Sequence, residues 1–193
     1  MADHICRMAL PVVPHVCKMK GEKMFEIGEL IIYGGNGVCR VEKIGPIDAG
    51  MGQKDRMYYT LNPLKNRDSR IFTPLDNEKV IMRPTMTRED ALALIDQIQN
   101  VETLWIGDER RREAEYKEAV RKCDCREYVK IIKTIYLRKK ERLADGKKVT
   151  AVDERYFTIA EDNLYGELSV ALDMDKVQAK AFVEQRVKEL SGK

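Results

Sequence analysis

The sequence predicts an α+β protein, a small β-rich unit followed by an all-helical one. Three observations carry this. Up to residue 84, short runs rich in β-branched and aromatic residues alternate with Gly, Asn and Pro turn signals. From residue 87 onward, apolar residues recur at helical spacing behind capping residues. One helix into that second pattern stands the only tryptophan, Trp105, shortly before three consecutive arginines, Arg110, Arg111 and Arg112.

Residues 1–23 are expected to be a disordered extension. Their apolar run, Met8-Ala-Leu-Pro-Val-Val-Pro14, is too short and too proline-broken for a secretory core. His4, Cys6, His15 and Cys17 follow no structural zinc spacing. The β-rich unit, residues 24–84, opens with Glu29-Leu-Ile-Ile-Tyr33 and Val38-Cys-Arg-Val-Glu-Lys-Ile44, joined by Gly34-Gly-Asn-Gly37. The Asn36-Gly37 pair tolerates positive φ and marks a turn. It is no phosphate loop, since no Gly-Lys-Ser/Thr ending or helix follows. After a loop over 45–55 come Arg56-Met-Tyr-Tyr-Thr-Leu61 and Ser69-Arg-Ile-Phe-Thr73, ended by Pro74, and a fifth strand is expected at Lys79-Val-Ile-Met82. So many short strands in about sixty residues suggest a small Tudor- or SH3-like barrel.

Residues 85–193 form the helical domain. Thr87 caps a first helix with Ala91, Leu94, Ile95 and Ile98 on one face. Asp108 caps a second, reaching about residue 122. Asp124 caps a third over 126–144, stopped by Gly146, with Val129, Ile132, Ile135, Tyr136 and Leu143 apolar and Arg126, Lys130, Lys133 and Lys140 as a basic stripe. Thr150 opens a fourth helix, with Phe157, Ala160, Leu164, Leu168 and Ala171 inward. Asp175 opens a fifth, with Ala179, Phe182, Val183, Val187 and Leu190 inward. Such stripes are core.

The net charge of +3 hides an asymmetry. Residues 110–148 hold fifteen Lys/Arg against seven Asp/Glu, a net of +8, so the remainder carries −5. A basic segment in an otherwise acidic chain suits a polyanionic partner. Five cysteines, an odd number without framework spacing, read as reduced thiols of a cytoplasmic protein, and no apolar run is long enough to span a membrane. An enzyme is not expected: both histidines lie in the extension and no nucleophile–base motif is visible. Cys123-Asp-Cys125 at a helix junction, where a helix N-terminus lowers a thiol pKa, is too little to carry chemistry. Tyr33, Tyr58, Tyr59 and Phe72 are candidates for an aromatic cage around methylated lysine, or for the core of the small sheet. Trp105 has two readings as well. It is either a packing residue or a flat wedge at a DNA base step beside arginines that hold phosphates.

Several segments together resemble one family. The run Met24-Phe-Glu-Ile-Gly-Glu-Leu-Ile-Ile-Tyr-Gly-Gly-Asn-Gly-Val-Cys-Arg-Val-Glu42 is similar to the start of bacterial CarD/CdnL transcription regulators. Arg70-Ile-Phe-Thr-Pro74 resembles their proline-ended strand. The Trp105 segment, the basic helix after it and Asp162-Asn-Leu-Tyr-Gly-Glu-Leu168 resemble their helical domain. The resemblance implies a Tudor-like domain binding the RNA polymerase β subunit by edge-strand pairing, here through Arg70, Ile71, Phe72 and Thr73. It departs at Phe72, where some relatives carry arginine. It also implies a helical domain contacting double-stranded promoter DNA at the upstream edge of the transcription bubble and stabilising the open complex. Trp105 is then the minor-groove wedge, and Arg110, Arg111, Arg112 and Lys117 hold phosphates. A cytoplasmic monomer without cofactor or metal is expected. The alternative is a Tudor-like peptide-binding adaptor with no DNA role.

Overall fold

The structure, a computed structural model, describes residues 24–47 and 56–192. The expected extension, with His4, Cys6, His15 and Cys17, and most of the 45–55 loop lie outside the described residues. Five strands, β1 (Leu30–Tyr33), β2 (Val38–Gly45), β3 (Tyr58–Pro63), β4 (Ile71–Pro74) and β5 (Met82–Pro84), form one antiparallel sheet in the order β4-β3-β2-β1-β5. β4 and β5 are its two edges, and no ladder joins them among the described residues. The pairing is therefore that of an open sheet where a closed barrel was expected.

Alternation along β1 and β2 covers both faces of the sheet. Ile31, Tyr33, Cys39 and Val41 pack with Phe25, Tyr59 and Leu61 on one side. Ile32 and Val38 pack on the other with Cys123 of the helical half, flanked by Leu30, Leu64 and Val170. The β1–β2 turn needs Gly37 twice over. Its φ is 71°, and a Cβ there would sit 2.8 Å from Asn163 Oδ1. β5 begins three residues later than the expected Lys79. Asn77 Oδ1 accepts from the backbone N–H groups of Lys79 and Val80, and Asn77 Nδ2 donates to Val80 O, which holds those residues in a turn.

The helices are α1 (Arg88–Gln97), α2 (Arg112–Arg121), α3 (Cys125–Ala144), α4 (Ala151–Leu172) and α5 (Lys176–Ser191). The expected caps are made: Thr87, Asp124, Thr150 and Asp175 each accept from a first-turn N–H, and Asp175 completes a capping box with Gln178. Their buried faces meet in one core that includes Leu94, Tyr116, Tyr128, Ile131, Leu164 and Leu168. Two expected core residues of α3 are not there. Tyr136 and Leu143 stand 63% and 56% exposed, because Tyr128 and Ile131 take the seam. The expected basic stripe is also largely spent inside the fold. Lys130 pairs with Glu127 (2.7 Å), Arg126 donates to Gln97 Oε1 (2.6 Å), and Lys133 donates to the carbonyls of Ile98, Gln99 and Val101.

The sheet and the helices are tied by a buried clamp. Arg83 on β5 grips the Glu167 carboxylate through both terminal nitrogens, at 2.6 and 2.7 Å, and donates to Cys123 O. Glu167, 1% exposed, also accepts from Met86 N at 2.9 Å and from Cys125 Sγ at 3.2 Å. Every acceptor position of this buried carboxylate is thus used, as its burial requires. Lys65 adds a second tie, donating to Asn163 Oδ1 at 3.2 Å.

Candidate functional site

The segment between α1 and α2 is short of regular structure but well anchored. Val101 is buried, and Leu104 and Ile106 pack against the helical core. Leu104 N donates to Thr134 Oγ1 at 2.8 Å, and that hydroxyl donates in turn to Lys130 O at 2.7 Å. Period-two alternation then leaves the residue between Leu104 and Ile106 pointing outward. That residue is Trp105, 82% exposed. Its indole lies over Gly107, where any Cβ would run into the ring. A large apolar side chain held in water by two anchored neighbours is not a packing residue.

The arginines divide. Asp108 caps a single 3-10 turn, Glu109–Arg111, accepting from Arg110 N at 3.0 Å, and α2 follows. Arg110, Arg111 and Lys117 are exposed, with Arg111 only loosely paired to Glu115 at 3.8 Å. Arg112 is turned inward, its side chain 13% exposed, onto buried Asp153 (3.3 Å) and Glu109. Asp153 also takes Arg138 at 3.4 Å, the Tyr116 hydroxyl at 3.2 Å and the Thr150 hydroxyl at 2.7 Å. Arg112 therefore belongs to the network that fixes the start of α2 against α4, and is not a free phosphate ligand in this arrangement. No signal in the run of three arginines distinguished it, because the distinction depends on Asp153, forty-one positions away. Acids also crowd this segment. Residues 108–121 hold five Asp/Glu and five Lys/Arg, whereas 126–148 hold nine Lys/Arg against three acids.

Of the expected polymerase-binding residues, Ile71, Phe72 and Thr73 lie on edge strand β4, and Arg70 immediately precedes it. Leu75 N donates to Met57 O at 3.1 Å, and the register pairs Thr73 with Tyr59 and Ile71 with Leu61. Hydrogen-bonded and open pairs alternate in an antiparallel ladder, so Ile71 and Thr73 turn their backbone groups to β3 while Phe72 turns its own outward. Phe72 is 43% exposed, Thr73 is buried, and Arg70 donates to Glu42 Oε2 at 3.0 Å. The opposite edge, β5, is engaged through Arg83.

The aromatic-cage candidates do not converge on solvent: Tyr33, Tyr58 and Tyr59 are buried and Phe72 is exposed. Cys123 and Cys125 are buried, and burial first, with Glu167 nearby, pushes both thiols up rather than down. That opposes activation as a nucleophile. Among the described residues no group of His, Cys, Asp and Glu is placed to hold a metal, and no helix is long and apolar enough to cross a membrane.

No curated protein matches the chain closely enough to count as a relative. A family model does match: residues 25–86 fit the CarD-like/TRCF RID domain, a span that takes in all five strands and ends just before α1. The sheet described above, with its proline-ended edge strand, thus matches the CarD-like/TRCF RID domain over residues 25–86, which supports a CarD/CdnL-type RNA polymerase-interacting family.

Proposed function

We propose that the chain is a transcription regulator that holds the RNA polymerase β subunit through β4 and stabilises the promoter open complex by touching DNA at the upstream edge of the transcription bubble. The observation that carries the DNA half is Trp105, a solvent-exposed indole on an anchored turn beside Arg110, Arg111 and Lys117. A flat apolar ring wedges at a distorted base step, and the neighbouring cations hold phosphates and set register. Arg112 acts behind them by fixing the α2 start on Asp153. The polymerase half rests on the family of residues 25–86 and on β4 as an edge with Phe72 facing outward.

In this reading residues 24–84 contact polymerase and 85–193 contact DNA. The Arg83–Glu167 clamp keeps the two surfaces in register, so that gripping the enzyme delivers Trp105 to the bubble edge. A monomer suffices and no chemistry is catalysed. The near-neutral 108–121 segment makes free-DNA affinity weak, so the polymerase supplies the local concentration. The test is promoter-opening kinetics with the cognate polymerase, with and without the full chain. A longer open-complex lifetime is expected. Polymerase binding with unchanged kinetics would make the chain an adaptor without a DNA role.

A further inference from the structure

The distal half of α3 and the start of α4 enclose a groove of about 600 Å³ that neither proposed surface uses. Buried Ile135 forms its floor, and Tyr136, Leu143, Val149 and Phe157 form its walls. Tyr136, Lys139, Lys140 and Leu143 all line it at i, i+3, i+4 and i+7, one continuous helical stripe. A stripe with this spacing is normally covered by another helix, yet here Tyr136 and Leu143 are mostly in water. The missing cover is the first observation.

Charge identifies the cover. Residues 136–149 hold six Lys/Arg against Glu141 and Asp145, a net of +4. Arg138 is drawn inward to Glu109 and Asp153, and Lys147 pairs with Asp145 at 3.1 Å. Lys139 and Lys140, by contrast, line the groove with no ion pair among the described residues, opposite the single carboxylate of Glu154. Val149, which lines the groove, immediately precedes the Thr150 cap, so the positive end of α4 lies close in sequence to it. We propose that this groove binds an acidic amphipathic helix of a partner protein, whose large apolar side chains enter between Tyr136 and Leu143 and whose carboxylates meet Lys139 and Lys140. Duplex nucleic acid fits less well, because a phosphate backbone has nothing to place in an apolar cleft walled by Tyr136, Leu143 and Phe157. The chain's own residues 1–23 fit less well too, since they carry four Lys/Arg against Asp3 and Glu22. The groove runs from Ile135 to Leu143, about 12 Å of helix axis, enough for two to three turns of a guest helix.

The probe is a synthetic helical peptide of about four turns, with Leu and Phe at i, i+3, i+4 and i+7 and Glu at the flanking positions. It is titrated into the full chain and followed by amide resonances. Saturable shifts confined to 135–143 and 149–158 are expected. Leu143→Ser should weaken the peptide about tenfold and Lys139→Gln with Lys140→Gln several-fold, with melting temperature retained because these side chains are exposed. Several results would each overturn the proposal. These are the absence of saturable binding, equal binding of a peptide with Lys in place of Glu, and an unchanged affinity in Leu143→Ser. A DNA duplex or a peptide of residues 1–23 that moves the same resonances more strongly would reassign the groove. So would shifts that follow protein concentration alone, which would give it to a second copy.

Discussion

Replacing Trp105 by alanine separates its two readings by energy. At 82% exposure less than a fifth of the ring is covered. A fully buried aromatic hides up to about 250 Å², so the covered part is at most ~50 Å². At about 25 cal/mol per Å² the loss is near 1 kcal/mol, or a fall of roughly 2–4 °C in melting temperature for a chain of this size. A core tryptophan would instead cost about 3–5 kcal/mol. Leu104 and Ile106 keep the segment on the core, so the Trp105→Ala protein should stay folded and still be captured by polymerase. Its open-complex half-life should nevertheless fall toward that of polymerase alone, by tenfold or more, on the order of one interface hot spot. Calorimetry and half-life are to be read on one preparation. A melting loss well beyond about 5 °C would refute the exposure argument, and an unchanged half-life would refute the wedge.

Other expectations are more local. Phe72→Pro removes the one N–H that β4 turns outward while sparing the bonds of Ile71 and Thr73 to β3. It should abolish polymerase capture with little loss of fold, whereas capture at wild-type affinity would rule out this edge. Arg110→Glu with Arg111→Glu should lower DNA affinity evenly across sequences and flatten its salt dependence, and an effect confined to one sequence would mean base reading. Arg83→Met strands the buried Glu167 carboxylate and should cost about 3–5 kcal/mol in denaturant unfolding. The double change with Glu167→Leu should recover most of that, and a strictly additive double loss would show that the pair is not coupled. Burial works against the charge of Glu127, but Lys130 and Lys122 outweigh it and hold its pKa below the ordinary 4.5. Its stabilisation is therefore complete above that value and is lost as pH falls through the lower folded one. The melting advantage of wild type over Glu127→Gln should shrink across that acid window, and a constant difference would contradict the assignment.

What the sequence determined by itself is what depends on near neighbours. Helix starts at Thr87, Asp124, Thr150 and Asp175 were legible because a cap is a bond within one turn. Strands β1 to β4 and the family of residues 25–86 were legible from alternation and turn residues at short range. Tertiary structure decided whatever depends on a distant partner. Whether an arginine in the run 110–112 faces water or Asp153 is invisible locally, as is the choice of Tyr128 and Ile131 over Tyr136 and Leu143 for the core face of α3. The register that turns Phe72 rather than Ile71 outward follows from β3, and the open sheet from where β5 is held. Exposure of Trp105 was the last such decision. An apolar residue's burial depends on its flanking residues being anchored elsewhere, here on the core and on Thr134, and no local pattern encodes that.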